Sequence, residues 1–261
     1  MTAVPYGAAL AALQETCSPL RDFVCPLYAK HRGQGYLLGT GVPLHLGATS
    51  IIVTASHVLA EFQDRCIYTL GHEDVLNLSG ERRGFNYLKE STIDVDLGLI
   101  VLSKAETAEL NHRFSFTYRT DLDEAQPTDD IAFYVLAGYP FTRNKPTPQS
   151  RDELNTTALF FVSRRMGSLE DSSATGKSLL VHFSLPAPPD GTKDMTGTLT
   201  TPPKPRGMSG GGVWCIQVDA STGRLAMPRL VGIGIEYDHG NRQFVCSRIQ
   251  YLQPMLVGLI S

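Results

Sequence analysis

Apolar residues along this chain come in short runs broken by glycine, proline and charge. VCPLY, GYLLGTGVPLHL and SIIVTAS follow one another closely, and CIYTL and LGLIVL come after them. Short apolar runs bounded by turn formers are strand signals. A second set, IAFYVLAGYP, ALFFVSRRM, SLLVHFSL, GVWCIQV, LVGIGIEY and QFVCSRI, fills the other half. Between the sets lies TDLDEAQPTDD, a polar connector from Thr120 to Asp130. The pattern predicts a first unit over residues 1–125 and a second over 126–261. LGHEDVLNLSGERRGFNYLKE is polar and turn-rich, as surface hairpins are. Helix is expected at Ala8–Cys17 and in the tail RIQYLQPMLVGLI, and loop at TPPKP. Many short strands with Gly/Pro turns predict an all-β sandwich or barrel architecture.

Composition narrows the class. The chain has 261 residues, 42% hydrophobic and 19% charged, which is globular and long enough for a substantial core. Its net charge is −3 and no basic stripe is visible, so a nucleic-acid partner is not expected. The N-terminal apolar run lacks a basic lead and soon meets Gln14 and Glu15, unlike a secretory signal. No apolar run approaches the roughly 18 residues a membrane span needs, so no membrane partner is expected. Five cysteines, an odd number without metal-like clustering, predict free thiols in a reducing cytoplasm. No metal site and no cofactor are expected; in particular no phosphate-binding glycine loop is present.

Three segments carry candidate chemistry. In VTASHVL an apolar strand ends in a small-residue turn bearing His57. A lone histidine at a strand end is commonly structural, yet imidazole is the best general base near neutral pH. In DVDLGLIVL, Asp96 stands directly before an unbroken apolar run; Asp94, two residues earlier, competes with it. Such an aspartate is either a turn residue or the orienter of a histidine. In RGMSGGGVW, glycines crowd Ser209. A flexible linker is one reading. The other is a strained turn, because VWCIQV follows at once and pins it to a strand. Glycines would let a carbonyl approach the hydroxyl and permit positive φ. A serine hydroxyl needs a neighbouring base to become a nucleophile.

In the order His, Asp, Ser, the three segments resemble the chymotrypsin-like (trypsin-like) serine peptidases. TASH resembles their histidine box, DLGLI their aspartate box and GMSGGG their serine box; LVGIGIEY resembles their substrate-pairing strand. The likeness runs from about Gly35 to Ile249. It implies two packed six-stranded antiparallel β-barrels with short N- and C-terminal helices. It also implies a serine endopeptidase that uses His57, Asp96 and Ser209 on a protein or peptide substrate. The amides of Gly207 and Ser209 would hold the oxyanion. Similar proteases accompany bacterial defence effectors, and a narrow substrate or a regulatory protein partner would restrain such an enzyme in the cytoplasm.

The chain departs from secreted members of that family at three positions. Met208 replaces the aspartate that pairs with a new N-terminus after zymogen cleavage, so the resemblance is to intracellular and bacterial members. Val58 stands where the secreted members have a disulfide cysteine, and Gly212 where the family's serine box usually has proline. Alignment to the family puts Pro203 near the base of the specificity pocket and Phe244 projecting into it. A shallow pocket for small or medium apolar residues follows. Ile235, Glu236 and Tyr237 fall on the substrate strand; Glu236 and Asp238 read equally as solvated charges. Cys215 and Trp214 read as core. His31, His45, His72, His112, His182 and His239 have no evident partner in the sequence.

Overall fold

A computed structural model describes residues 15–31, 34–60, 66–72, 74–84, 95–122, 132–141, 158–164, 182–186, 207–219, 222, 224–241, 243–257 and 259. The all-β architecture expected from the sequence is present, as two largely antiparallel sheets with a few short helices.

The first sheet contains β1 (Cys25–His31), β2 (Gln34–Leu46), β3 (Thr49–Thr54), β4 (Ile67–Leu70), β5 (Val75–Leu78), β6 (Arg82–Gly84), β7 (Gly98–Leu102) and β8 (Thr117–Tyr118). Its order is β5-β4-β1-β2-β3-β7-β6, with β8 laid parallel to the end of β2. It therefore has eight strands against the six expected; β6 and β8 are three and two residues long. The long strand β2 turns the sheet on itself. Residues 34–41 pair with β1, whereas residues 42–46 pair with β3. The changeover falls at Gly41, where a Cβ would lie 2.4 Å from Ile52.

The second sheet contains β9 (Ala132–Gly138), β10 (Leu159–Arg164), β11 (His182–Pro186), β12 (Gly212–Gln217), β13 (Arg229–Asp238) and β14 (Gln243–Arg248). Its order is β10-β9-β12-β13-β14-β11. Each sheet has its own apolar cluster, including Leu27, Ile52 and Ile100 in the first and Val213, Phe244 and Cys246 in the second. A third cluster joins the halves: Leu44 and Val53 pack in one body with Val135, Trp214, Ile233 and Ile249. Full burial of one such side chain contributes about 1.5–3 kcal/mol. Trp214, only 2% exposed, is core as expected, and so is Cys215.

Helices are short. The chain is helical over residues 15–17 and continues as a 3₁₀ turn through Phe23; the rest of the expected N-terminal helix lies outside the described residues. The C-terminal helix, Ile249–Leu256, is 3₁₀ in form, with Pro254 inside it. It is stapled to the first sheet: Arg83 Nη1 donates to the carbonyls of Met255 and Val257, at 3.2 and 3.1 Å. Two further α-helices lie among the described residues, α1 (Ser56–Ala60) and α2 (Lys104–Asn111). The sequence reading did not foresee α2, although Ser103-Lys-Ala-Glu106 spells a capping box. Ser103 Oγ accepts from Glu106 N, and Glu106 Oε2 accepts from Ser103 N.

Of the polar stretch expected to form hairpins, β5 and β6 are described. The connector is described only to Leu122, and TPPKP lies outside the described residues. No helix among the described residues is long and apolar enough to cross a membrane.

Candidate active site

The site begins with the register of β3 on β7. Thr54 pairs with Gly98 at the end of that ladder. His57 lies three residues beyond Thr54 and Asp96 two residues before Gly98, so both leave the same end of adjacent strands. The chain after Thr54 folds at once into α1, which packs flat because two glycines yield to it. A Cβ at Gly98 would lie 2.8 Å from Leu59 and 3.1 Å from the Ser56 backbone; one at Gly84 would lie 2.6 Å from Ser56 Oγ. Val58 and Leu59 turn inward, and His57 is left facing out with 46% of its side chain exposed.

Asp96 meets His57 at two points. Its Oδ2 lies 2.6 Å from Nδ1 of the ring, and its Oδ1 accepts the His57 backbone N–H at 3.0 Å. An ionised carboxylate only accepts hydrogen bonds, so Nδ1 carries the proton and Nε2 of a neutral ring keeps its lone pair. The aspartate side chain is 16% exposed, which limits competition from water. Asp94, its rival in the sequence, lies outside the described residues.

Ser209 sits in a turn clamped from both sheets. Gly207 and Gly210 have φ of +95° and +86°, conformations that side-chain-bearing residues rarely adopt. Gly211 N donates to Met208 O at 2.8 Å and closes the turn. From the second sheet, Gly234 O accepts from Gly210 N at 2.7 Å, and Gly234 N donates to Gly211 O at 2.8 Å. From the first sheet, Thr40 N donates to Ser209 O at 2.8 Å. The Thr40 hydroxyl donates to Gly207 O at 3.0 Å and accepts from Tyr139 N at 2.9 Å. Thr40 is tied in turn to the histidine segment, since Thr54 Oγ1 donates to Thr40 O at 2.7 Å.

The contact between segments is close. A Cβ at Gly39 would lie 2.6 Å from Ser209 O and 2.9 Å from Val58, the residue after His57. Among the described residues, no acceptor takes the amide hydrogen of Gly207 or Ser209. Met208 is 2% exposed and its side chain packs beside Gly138. Gly212 has its own reason: a Cβ there would lie 2.2 Å from the Trp214 ring.

The remaining expected site residues divide. Pro203 lies outside the described residues. Ile235 is 2% exposed, the extra residue where the β13–β14 register shifts between Gly234 and Glu236. Glu236 faces solvent. Tyr237 is half-buried, its ring 5.1 Å from Phe244. Phe244 is buried in the second-sheet cluster that also holds Met208, with Phe161 5.1 Å away. Asp238 caps a local turn, accepting from Gly240 N and from Asn241. The pairing of β13 with β12 ends at Ile233–Gly212, while β13 continues to Asp238 and pairs there with β14.

Residues the sequence reading missed are Thr40, Gly39 and Tyr139. The signal for Thr40 and Gly39 was a threonine between two glycines in an otherwise apolar strand, LLGTGVPL. His45 gained a partner invisible in sequence: its Nδ1 lies 2.8 Å from Ser50 Oγ and its ring stacks on Phe116 at 4.2 Å. His72 and His112 place their rings 4.8 Å apart. Among the described residues, no group of three or more His, Cys, Asp or Glu is arranged to hold a metal ion.

No protein-family model matches the chain, and neither does any curated protein sequence. Among solved structures it is similar to the catalytically inactive tobacco etch virus protease complexed with substrate. The TM-score there is 0.46 at 13% identity, covering 94% of this chain and 87% of that one. Similar values relate it to the tobacco vein mottling virus protease: TM-score 0.46, 13% identity, and 92% and 83% coverage. A likeness at this level says nothing of chemistry, which rests on the residues of this chain.

Proposed function

We propose that this protein is a serine endopeptidase in which Ser209 is the nucleophile, His57 the general base and Asp96 the residue that orients His57. The observation that carries the reading is the two-point hold of Asp96 on His57, with the Ser209 turn bound to β2, the strand paired with the one from which the histidine emerges. In this mechanism Ser209 Oγ attacks a peptide carbonyl carbon while His57 Nε2 takes its proton. Asp96 stabilises the imidazolium that forms. The carbonyl oxygen, now negative, is received by the amides of Gly207 and Ser209. Donors of this kind are each worth about 10²–10³ in rate. His57 then protonates the leaving amine, and water resolves the acyl-enzyme by the same steps in reverse. No cofactor takes part.

The substrate is proposed to lie as an added strand along β13 beyond Gly234, whose amide and carbonyl the Ser209 turn takes. Main-chain hydrogen bonding at such an edge is sequence-tolerant, and side-chain pockets supply choice. Phe244, packed between Phe161 and Tyr237, supports a preference for a small or medium apolar residue before the cleaved bond. The absence of a disulfide among the described cysteines supports a reducing compartment.

The test is fluorophosphonate labelling followed by intact mass. One phosphonyl adduct on the wild type, absent from Ser209→Ala and His57→Ala, is the expected result. A wild type that stays unlabelled overturns the reading and leaves a binding scaffold in its place; a labelled Ser209→Ala overturns it by placing the activated nucleophile on another residue.

A further inference from the structure

Two glycines at positive φ flank Met208 and Ser209, and glycine loses more conformational freedom on folding than any other residue. The turn therefore needs outside bonds to hold one shape. Three consecutive carbonyls are claimed: Gly207 O by the Thr40 hydroxyl, Met208 O by Gly211 N, and Ser209 O by Thr40 N. In a trans peptide the N–H points opposite to the C=O. Each claimed carbonyl thus aims the following amide: Thr40 sets the Met208 and Gly210 peptides on either side of Ser209, and the Gly211 bond to Met208 O aims the Ser209 amide between them. The Thr40 hydroxyl has a single hydrogen, donated to Gly207 O, while Tyr139 N occupies a lone pair. The rotor is locked. Thr40 has no exposed surface, so water does not substitute for it, and Gly138 makes room, since a Cβ there would meet its Oγ1 at 3.0 Å.

We infer that Thr40 is a positioning residue that holds the Ser209 turn in reactive shape from the opposite sheet. The inference rests on the serine-peptidase reading above. It makes the reactivity of Ser209 depend on the seating of the second sheet against β2, a coupling between the two halves located in one hydroxyl and one amide. No proteolytic ordering of the turn is then required.

The experiment compares fluorophosphonate labelling rates, and kcat and KM on a peptide found by library cleavage, for wild type, Thr40→Val and Thr40→Ser. Thermal unfolding is followed in parallel. Thr40→Val keeps the shape and loses the hydroxyl. Its labelling rate and kcat fall about 10²-fold, the scale of a small misplacement at a reacting centre, while KM changes little. Thr40→Ser restores most of the rate. A merely structural residue would lower the unfolding temperature without slowing the folded enzyme. Should Thr40→Val not fold, Thr40→Ala, which removes the hydroxyl with less steric demand, serves instead. A folded hydroxyl-less variant that labels at the wild-type rate overturns the inference and leaves the peptidase reading intact. An unlabelled wild type overturns both.

Discussion

Asp96 holds His57 by its ring and by its backbone at once: Oδ2 lies 2.6 Å from Nδ1, and Oδ1 takes the amide hydrogen at 3.0 Å. One carboxylate thereby fixes both the position of the α1 segment and the tautomer of the imidazole. The two functions separate on substitution. In Asp96→Asn the side-chain oxygen is free to keep the backbone bond, but the amide presents N–H to Nδ1 and favours the wrong tautomer. The labelling rate of Ser209 is expected to fall about 10⁴-fold with the fold retained. Circular dichroism beside the labelling time course checks this; an unchanged rate removes Asp96 from the mechanism.

Gly210 and Gly47 share a positive φ and differ in their surroundings. A Cβ at Gly210 would lie 1.9 Å from Thr40 O and 2.1 Å from Thr54 Oγ1, whereas one at Gly47 would meet nothing within 4 Å. Gly47→Ala is expected to cost about 1–2 kcal/mol for the left-handed backbone alone. Gly210→Ala adds a steric clash that only backbone movement relieves, for about 2–6 kcal/mol together. Denaturant unfolding of the two variants measures the gap. Equal losses would mean that the Ser209 turn is not seated against β2 as described.

Glu106 gives the fold a dependence on acid. Burial pushes its carboxyl upward, but hydrogen bonds from Ser79 and Ser103 outweigh this and bring it below its ordinary value of 4.5. A depressed carboxylate contributes stability above its unfolded pKa and loses it as pH falls through the folded one. The unfolding temperature of wild type should therefore exceed that of Glu106→Gln at neutral pH. The difference should shrink as pH drops below about 4.5 and vanish in stronger acid. A difference that persists at pH 2 would contradict the ionised capping box.

The thiols differ in reach. Burial pushes Cys17 up to about 11 and Cys25 up to about 12, and raises Cys246 as well, while Cys66 is exposed. Thiolate is the reactive form, so these three should resist alkylation at pH 8, and Cys215, buried as well, is out of the reagent's reach. Native protein is expected to take up iodoacetamide first at Cys66, and Cys66→Ser to react far more slowly. Alkylated wild type should still label with fluorophosphonate at its full rate. Loss of labelling after alkylation would point to a cysteine in the chemistry.

How much of this could be read from the chain is clearest residue by residue. Most described strands were visible as apolar runs between turn formers, because strand pairing in a two-sided core demands such runs locally; β6 (Arg82–Gly84) and β8 (Thr117–Tyr118) were not, being two or three residues with no apolar run of their own. The helix α2 was equally local, in Ser103 and Glu106, and was passed over because it is short and weakly amphipathic. His57, Asp96 and Ser209 stood out as a chemical set by residue type and order. Gly207 and Gly210 stood out because a tight turn beside a nucleophile needs residues without side chains.

What the sequence by itself determined was therefore a list of local requirements: which stretches extend, which turn, and which groups have the chemistry. The tertiary structure alone decided which of them meet. That Asp96 lies on His57 follows from the Thr54–Gly98 register. That Thr40 grips a turn 167 residues away follows from the seating of one sheet on another. Gly39, Gly84 and Gly98 are glycines because another segment passes through the space a side chain would fill. Such contacts leave no period and no local propensity in the chain. They are set by where two distant backbones come within van der Waals distance, and that is fixed only when the shared core of Leu44, Val53, Val135, Trp214 and Ile233 closes.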